Sequence, residues 1–272
     1  MSIEKLFSVN GLNAIVTGGA SGIGLGFVEG MAENGAVVTI LDRDAARIES
    51  EVARLCALGH KVFGEVVDIT DRPAMRAAFE RAAARTGRLD VTFANAGIDP
   101  GEGFARPDGG RNPGSEIDAM DDAVWDRTIE INLTGVYNTV KEAARQMKPH
   151  KHGSIIVTTS IASKMVGGMV GTPYMPAKAG AAHLVRQLSL DLARYNVRIN
   201  AIAPGGFITN IGGGHTHKAE VQATFAKLIP LGRMAHPDEM KGLALFLASE
   251  ASSFITGAEI NIDGGMLNGM AQ

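Results

Sequence analysis

The feature that most constrains the fold is a regular alternation of short apolar runs with longer amphipathic ones. The apolar runs are rich in valine and isoleucine and predict strands at residues 12–16, 36–42, 62–68, 91–94, 154–159, 197–203 and 259–262. Apolar residues at helical spacing predict helices at residues 22–34, 43–58, 72–86, 122–148, 174–195 and 237–247. Strands of this kind that alternate with helices are typical of a doubly wound, seven-stranded parallel sheet with helices on both faces.

Composition and charge narrow the class of protein. The 34 glycines follow no G-X-Y period, which excludes a collagen-like chain, and 45% hydrophobic residues exclude a disordered one. No linker or repeat divides residues 1–272, so we expect a single domain. The formal net charge of −3 gives no reason to expect a nucleic acid or an anionic membrane as partner.

Three sequence features bear on the cellular location of the protein. No apolar run approaches the ~20 residues of a membrane span, and the N-terminus lacks the basic start and apolar run of a signal peptide. Cys56 is the single cysteine and has no partner for an internal disulfide. We therefore expect a soluble cytoplasmic protein, with Cys56 packed on the apolar stripe of its helix.

A glycine-rich turn joins the first predicted strand to the first predicted helix, where residues 17–24 read TGGASGIG. Glycines at this point let the backbone approach a pyrophosphate, whose charge then meets the N-terminus of the helix. The spacing is G-x3-G-x-G rather than G-x-G-x-x-G, and glycines after a strand are also typical of an ordinary turn. The turn alone leaves both interpretations open.

Asp42 ends the second predicted strand, eighteen residues after Gly24. An acid near this offset accepts hydrogen bonds from the ribose hydroxyls of a dinucleotide and repels a 2′-phosphate. The turn residues 19–21 include no cation, although Arg43 supplies one beside the acid. We therefore predict that NAD is preferred over NADP; a helix N-cap is a compatible alternative role for Asp42.

Tyr174 and Lys178 are four residues apart at the start of a predicted helix and so share one face. A phenol with its reference pKa near 10 is a poor base at neutral pH, and a nearby ammonium is expected to lower that pKa. Tyr174 would then take the proton of an alcohol, while Ser160 at the end of the fifth strand would hydrogen-bond the same oxygen. In isolation a Tyr-x3-Lys pair is also consistent with a surface pair.

In combination these pieces resemble the short-chain dehydrogenase/reductase family. The matching residues are TGGASGIG at 17–24, Asp42, Asp68, ANAG at 94–97, Asn132 in INLTG, Ser160, Tyr174-Met-Pro-Ala-Lys178, PGGFIT at 204–209 and DGG at 263–265. The resemblance spans residues 12–265 and implies a Rossmann fold. It also implies an NAD-dependent oxidoreductase that interconverts a secondary alcohol and a ketone.

The resemblance further implies a role for each matching residue. Tyr174 is expected to be the acid/base, with Lys178 binding the nicotinamide ribose, Ser160 the substrate oxygen and Asn132 a water relay to the lysine. For Asn132, a mid-helix asparagine that satisfies local backbone is the alternative. The cofactor is expected to contact Gly18, Ser21, Gly22, Ile23, Gly24, Asp42, Asp68, Ile69, Asn95, Ala96, Gly97, Tyr174, Lys178, Pro204, Gly205, Phe207 and Thr209.

Two rival functions remain on this basis. One is an NADPH-dependent ketoreductase that acts on an acyl or polyketide carbonyl. The other is a non-catalytic NAD(H)-sensing protein, which has no need of the intact catalytic set. The resemblance also implies a homotetramer or a homodimer assembled through helices 122–148 and 174–195, and no metal.

A long segment without periodicity, residues 98–120, follows the fourth strand. Asn95 and Asn132 are 37 residues apart, which is longer than the family resemblance leads us to expect, so this segment is interpreted as an insertion near the substrate pocket. Its Arg106 and Arg111 either bind an anionic group of the substrate or are solvated charges.

Two further features leave alternatives open. Residues 212–217 read GGGHTH, in which the glycines suit the hinge of a lid and the histidines are weak candidates for metal ligands. Met165, Met169 and Met175 flank the catalytic residues, and they either line an apolar substrate pocket or fill the core.

Overall fold

The computed structural model describes residues 2–106 and 108–269, except for the side chain of His215. Pro107 of the predicted loop, and residues 1 and 270–272 of the predicted domain, lie outside the described residues. The strands within the described part are β1 (Asn13–Thr17), β2 (Val37–Asp42), β3 (Lys61–Val66), β4 (Val91–Ala94), β5 (Gly153–Thr158), β6 (Val197–Pro204) and β7 (Glu259–Ile262). The α-helices there are α1 (Ile3–Phe7), α2 (Gly22–Glu33), α3 (Ala45–Ala57), α4 (Arg72–Ala84), α5 (Asp122–Ile129), α6 (Val136–Met147), α7 (Tyr174–Ala193), α8 (Ala219–Ala226) and α9 (Lys241–Ala248).

These strands form one sheet in the order β3-β2-β1-β4-β5-β6-β7, and every neighbouring pair is parallel. The predicted doubly wound parallel sheet is therefore confirmed. The strand order reverses between β1 and β4, which is the point where such sheets bind their ligands. Every residue of β1, β4 and β5 is buried, because helices cover both faces of the central strands.

Two apolar clusters cover the two faces of the sheet. One contains residues of α4, α6 and α7, such as Phe79, Val140 and Val185. The other contains residues of α2 and α9, with Phe27 stacked on Phe93 of β4 at a centroid distance of 4.6 Å. Successive residues of the central strands point to opposite clusters, as Ala14 and Ile15 of β1 do, so the centre of the sheet is held from both sides.

Most of the predicted boundaries of strands and helices differ from the observed ones by a few residues. The predicted helix at 122–148 is observed as α5 and α6 joined by a π-helical turn, Glu130–Gly135. The predicted helix at 237–247 begins as a 3₁₀ turn, Pro237–Met240, before α9. The short helices α1 and α8 were not predicted, since each spans too few residues to give a clear periodic signal.

The expectation for Cys56 is wrong. Its side chain is exposed at the end of α3, where the thiol donates to the carbonyl oxygen of Val62 at 3.3 Å. The buried positions of α3 are Ile48 and Leu55, so the apolar stripe passes beside the cysteine. Among the described residues, no helix combines the length and the apolar character that a membrane span requires.

Candidate active site

One large cleft lies at the carboxyl ends of the central strands and has a volume of about 650 Å³. Every residue that the sequence analysis assigned to catalysis or to the cofactor borders it, from Gly18 on the β1 side to Thr209 after β6. The structure therefore brings the whole predicted set together at the point where the strand order reverses.

The turn at residues 17–24, named the phosphate turn after its predicted ligand, lies between β1 and α2 and leaves no room for a side chain at Gly18 or Gly24. Gly18 has a φ of +63°, and a Cβ at Gly24 would collide with the carbonyl oxygen of Gly18. The Gly18 amide donates to the carbonyl oxygen of Leu41 at 2.7 Å, which ties the turn to β2. The turn thus presents bare backbone at the N-terminus of α2, and this geometry fits a diphosphate.

Asp42 holds the other side of the phosphate turn. One of its carboxylate oxygens accepts from the Ala20 amide at 3.2 Å, and the other accepts from the amides of Arg43 at 2.8 Å and Asp44 at 3.2 Å. The N-cap of α3 is Asp44, whose side chain accepts from the Arg47 amide. The alternative role of Asp42 as a helix N-cap is therefore wrong, and its carboxylate remains at the edge of the cleft.

The far end of the cleft carries charges of both signs. Asp68 accepts from the amide and the hydroxyl of Thr70, and mainly the amide hydrogen bond lowers the pKa of the carboxyl group. Arg43 and Arg127 border the same end and add a smaller electrostatic contribution in the same direction. Arg127 was not singled out from the sequence, because it comes from α5, far along the chain.

Asn95 links three central strands. Its side-chain amide donates to the carbonyl oxygens of Thr17 at 3.1 Å and Gly18 at 3.3 Å, and its side-chain oxygen accepts from the Thr158 hydroxyl at 3.0 Å. Its backbone amide donates to the Thr17 hydroxyl at 3.0 Å. These bonds join the ends of β1, β4 and β5 directly below the phosphate turn.

Asn132 lies in the π-helical turn and is fully buried. Its side chain forms two hydrogen bonds of 2.9 Å with the backbone amide and carbonyl of Ile98. The alternative that it satisfies local backbone is therefore wrong, because its partner is 34 residues away. A Cβ at Gly97 would lie 2.7 Å from Asn132 Oδ1 and 3.4 Å from Lys178 Nζ, so this loop packs against both side chains.

Tyr174 and Lys178 lie on the first turn of α7, which begins at Tyr174 directly after Pro173. Lys178 Nζ is 5.6 Å from the centroid of the Tyr174 ring and donates to the carbonyl oxygen of Thr158 at 3.1 Å. Lys178 is 3% exposed, which rules out the surface-pair alternative. Ser160 begins a 3₁₀ turn and accepts from the Ala162 amide at 3.1 Å.

The protonation of this pair differs from the expectation. Burial raises the pKa of Tyr174 to about 12, and a hydrogen bond with Ser160 opposes this rise only in part. Burial also lowers the pKa of Lys178 to about 8. The expectation that the pKa of Tyr174 lies below its reference value is therefore wrong for this structure, because loss of water around the phenol is the largest effect on it.

The predicted insertion is joined to the segment between Ser160 and Tyr174. The Gly103 amide donates to Met169 at 3.0 Å, the Ala105 amide to Gly168 at 2.8 Å, and the Gly171 amide to Gly101 at 3.0 Å. A Cβ at Gly168 would lie 2.6 Å from the Phe104 ring and 2.7 Å from Ala105 Cβ. We call this paired region, residues 101–105 with 168–171, the glycine ribbon.

The two arginines of the insertion are paired within it. Arg106 contacts Asp108 at 2.8 Å, and Arg111 contacts Glu116 at 2.8 Å, with all four side chains exposed. Neither arginine belongs to the lining of the cleft in the described part of the chain. This arrangement agrees with solvated charges rather than with an anion site at the cleft.

The segment after β6 closes the remaining side of the cleft. The Thr216 hydroxyl accepts from the Thr209 amide at 2.9 Å and donates to the Thr209 carbonyl at 2.7 Å. The three glycines at 212–214 all have positive φ, between +61° and +76°. His217 pairs with Asn210 at 3.1 Å, and the side chain of His215 lies outside the described residues. Over residues 2–106 and 108–269, His, Cys, Asp and Glu form no group of three that could hold a metal ion.

Met165 and Met169, two of the three methionines singled out from the sequence, fit neither alternative. Met165 and Met169 are exposed, so they do not fill the core. They are also outside the lining of the cleft as far as the described residues show. Asp99 does border the cleft, two residues after Gly97, and was missed because the sequence analysis treated residues 98–120 as one insertion.

Comparison with known proteins adds independent findings. A family model described as Enoyl-(Acyl carrier protein) reductase matches residues 18–267. The chain is 40% identical over 253 residues to cis-4-hydroxycyclohexanecarboxylate dehydrogenase of Sinomonas cyclohexanicum, covering 93% of this chain and 95% of that one. It is 33% identical over 259 residues to L-rhamnose 1-dehydrogenase (NAD(P)(+)) of a Sphingomonas species, covering 95% and 97%.

Solved structures share the fold across the whole chain. The gluconate 5-dehydrogenase from Burkholderia cenocepacia, crystallised with NADP and tartrate, has a TM-score of 0.87 at 31% identity. The match covers 98% of this chain and 99% of that one. Levodione reductase has a TM-score of 0.82 at 27% identity, covering 95% and 98%.

Proposed function

Because the chain belongs to the short-chain dehydrogenase/reductase family of oxidoreductases that act on CH–OH groups, we propose that it oxidises a secondary alcohol to a ketone with NAD. One observation carries the proposal. Tyr174, Lys178 and Ser160 border the same cleft as a tight turn in which Gly18 and Gly24 admit no side chain. Such an arrangement holds an alcohol and a dinucleotide together, as hydride transfer requires.

The residues of the cleft fit a nicotinamide dinucleotide. We assign the diphosphate to the turn at 18–24, the adenosine ribose to Asp42, the adenine to Asp68 and Ile69, and the carboxamide to Thr209. The support is the close packing of Gly24 on Gly18, which only glycine allows and which keeps the turn tight at the N-terminus of α2, and the acid at the end of β2. When bound, the nicotinamide ring supplies the hydride acceptor.

Tyr174 is assigned the proton. With a pKa of about 12, its phenol is neutral at pH 7 and is ready to donate to a carbonyl oxygen during reduction. During oxidation the phenol must first release its own proton, toward Lys178 and the water relay, and the same oxygen then accepts the proton of the alcohol while Ser160 hydrogen-bonds the substrate oxygen. Lys178, with its pKa of about 8, keeps most of its positive charge at pH 7 and stabilises the phenolate. Asn132 is proposed to anchor a water relay to Lys178, since it is buried beside the same loop.

The test is Tyr174→Phe, which removes the proton-carrying oxygen and keeps the ring. We expect kcat for alcohol oxidation, followed by NADH absorbance, to fall by about a thousandfold. NADH binding, measured by fluorescence titration, should remain. Tyr195→Phe is the matched control, because the Tyr195 hydroxyl contacts Arg194 at the surface. A Tyr174→Phe variant that keeps more than a few per cent of kcat would overturn the assignment.

The rival function, a ketoreductase, differs from the proposed one in its cofactor. The Burkholderia relative was crystallised with NADP, and the Sphingomonas relative is named for both cofactors. Arg43 borders the cleft and supports the NADPH-dependent ketoreductase as a second candidate. We favour NAD because the carboxylate of Asp42 is at the same edge and repels a 2′-phosphate. An NAD(H) sensor without catalysis is disfavoured by the assembled catalytic set.

We also propose a homotetramer, or a homodimer, in the cytoplasm. The support for assembly is that Trp125, Tyr137 and Leu190 are exposed on α5, α6 and α7, the helices predicted to form the contact. The support for the compartment is the single cysteine. Size-exclusion chromatography with light scattering distinguishes the dimer from the tetramer.

A further inference from the structure

Asp99 places a negative charge at the substrate end of the cleft. It borders the same cleft as Ser160 and Tyr174 and is partly exposed there. Its charge reaches the phenol, since it contributes to raising the pKa of Tyr174. Because the carboxylate and the phenol border the same cleft, the charge faces the space in which the substrate is proposed to bind.

Asp99 is held in place by a chain of hydrogen bonds that ends at the catalytic tyrosine. The Gly101 amide donates to Asp99 Oδ1 at 2.9 Å. The carbonyl oxygen of Gly101 accepts from the Gly171 amide at 3.0 Å, and the carbonyl oxygen of Gly171 accepts from the Tyr174 amide at 3.1 Å. The glycine ribbon therefore fixes the carboxylate and the first residue of α7 relative to each other.

The charge of Asp99 is not neutralised by the insertion. The two arginines of that loop form ion pairs with Asp108 and Glu116. In the described part of the chain, Asp99 forms no ion pair, and Oδ1 alone accepts a hydrogen bond. Its second oxygen therefore keeps its capacity to accept from a ligand, because an ionised carboxylate is an acceptor only.

We propose that Asp99 determines specificity by accepting a hydrogen bond from a second hydroxyl group of the substrate, beside the carbinol that reacts. This inference rests on the proposed function and assigns a substrate class, the neutral polyols. A carboxylate forms strong charge-assisted hydrogen bonds with hydroxyl donors. The same carboxylate repels an anionic group at that position, so it also selects against hydroxy acids whose charge lies next to the carbinol.

The test compares three ring alcohols that differ in one substituent. These are cyclohexanol, 1,2-cyclohexanediol as its cis and trans isomers, and 2-hydroxycyclohexanecarboxylate. We expect kcat/KM for the better diol to exceed that for cyclohexanol by about tenfold to a hundredfold, as for a hydrogen bond to a charged group. The hydroxy acid should be the poorest substrate of the three.

Two variants of Asp99 separate its charge from its hydrogen bonds. Asp99→Ala should remove the advantage of the diol. Asp99→Asn keeps an acceptor for the Gly101 amide and should mainly relax the discrimination against the hydroxy acid. It should also shift the rise of kcat/KM with pH to lower pH, because removing a negative charge lowers the pKa of Tyr174, and a purely structural role would not move this profile. Asp118→Asn removes an exposed charge from the same insertion and serves as the control.

The outcomes separate this inference from the function on which it rests. If the parent oxidises the diols and cyclohexanol equally well, or if Asp99→Ala keeps the advantage of the diol, the inference is overturned. The proposed function still stands in that case, provided that Tyr174→Phe abolishes the oxidation of cyclohexanol. A parent enzyme that oxidises none of these alcohols or other secondary alcohols with either cofactor contradicts both.

Discussion

The cleft has two sides that are built in different ways. The side proposed to bind the nucleotide, called the nucleotide side (residues 17–24, 42 and 68–69), is carried by strand ends. Its turn is tied to β2 through Leu41 and to β4 through Asn95. The substrate side, residues 98–120 and 164–171, is carried by two loops that hold each other through the glycine ribbon. The sheet therefore fixes the geometry of the nucleotide side, whereas the geometry of the substrate side depends on close contact between two irregular segments.

Among the variants that compare the two sides, the largest effect is expected from Gly24→Ala, which changes the nucleotide side at its tightest point. The new Cβ would collide with the carbonyl oxygen of Gly18 and approach Asn95 Nδ2 to 2.6 Å. The turn must move to relieve this overlap and would lose a hydrogen bond to the charged diphosphate, so we expect the Kd for NADH to rise by about tenfold to a hundredfold. Fluorescence titration measures the Kd, and circular dichroism checks the fold.

Gly242→Ala is the control for this prediction, because the same substitution in α9 meets no atom within 4 Å. Unchanged NADH affinity in Gly24→Ala would mean that the nucleotide side can deform. The contrast between a rigid and an adaptable side of the cleft would then be lost.

A smaller effect on the same side is expected from Asp42→Asn. The amide keeps the size and one acceptor oxygen but loses the charge that repels a 2′-phosphate. We expect the ratio of the Kd for NADPH to the Kd for NADH to fall by about tenfold. Asp71→Asn is the control, since Asp71 caps α4 outside the cleft. An unchanged ratio would assign the choice of cofactor to Arg43 and Arg127 instead.

The substrate side is tested by Gly168→Ala, which forces the glycine ribbon apart. Its Cβ would approach the Phe104 ring to 2.6 Å, so the strand-like contact next to Tyr174 must shift. Small displacements of catalytic groups are costly, and we expect kcat to fall by about tenfold while the Kd for NADH stays the same. Gly114→Ala in the same insertion meets no atom within 4 Å and should be silent. A change in NADH affinity instead would show that the two sides are not independent.

The same difference explains what the sequence could predict. The turn at 17–24 and Asp42 lie at the ends of strands that clear apolar runs predict. Because parallel strands bring their carboxyl ends to one edge of the sheet, these residues could be assigned from their order along the chain alone. The glycine ribbon could not be predicted, because nothing in the sequence pairs Gly103 with Gly168. The pKa of Tyr174 was also out of reach, since burial decides it rather than the spacing to Lys178.

The smallest effect is expected from Arg106→Ala and Arg111→Ala. Each arginine is paired with an exposed acid of the same loop, and surface ion pairs of this kind contribute about 0–1 kcal/mol. We therefore expect kcat/KM on an acidic substrate, such as a hydroxycyclohexanecarboxylate, to change by less than about twofold. If kcat/KM is unchanged in both variants and kcat falls in Gly168→Ala, the insertion acts on the substrate through its backbone contacts. A tenfold fall of kcat/KM in either arginine variant would instead mean that the ion pairs within the loop break when an anionic substrate binds. The substrate side would then take its final geometry only in the complex with the substrate.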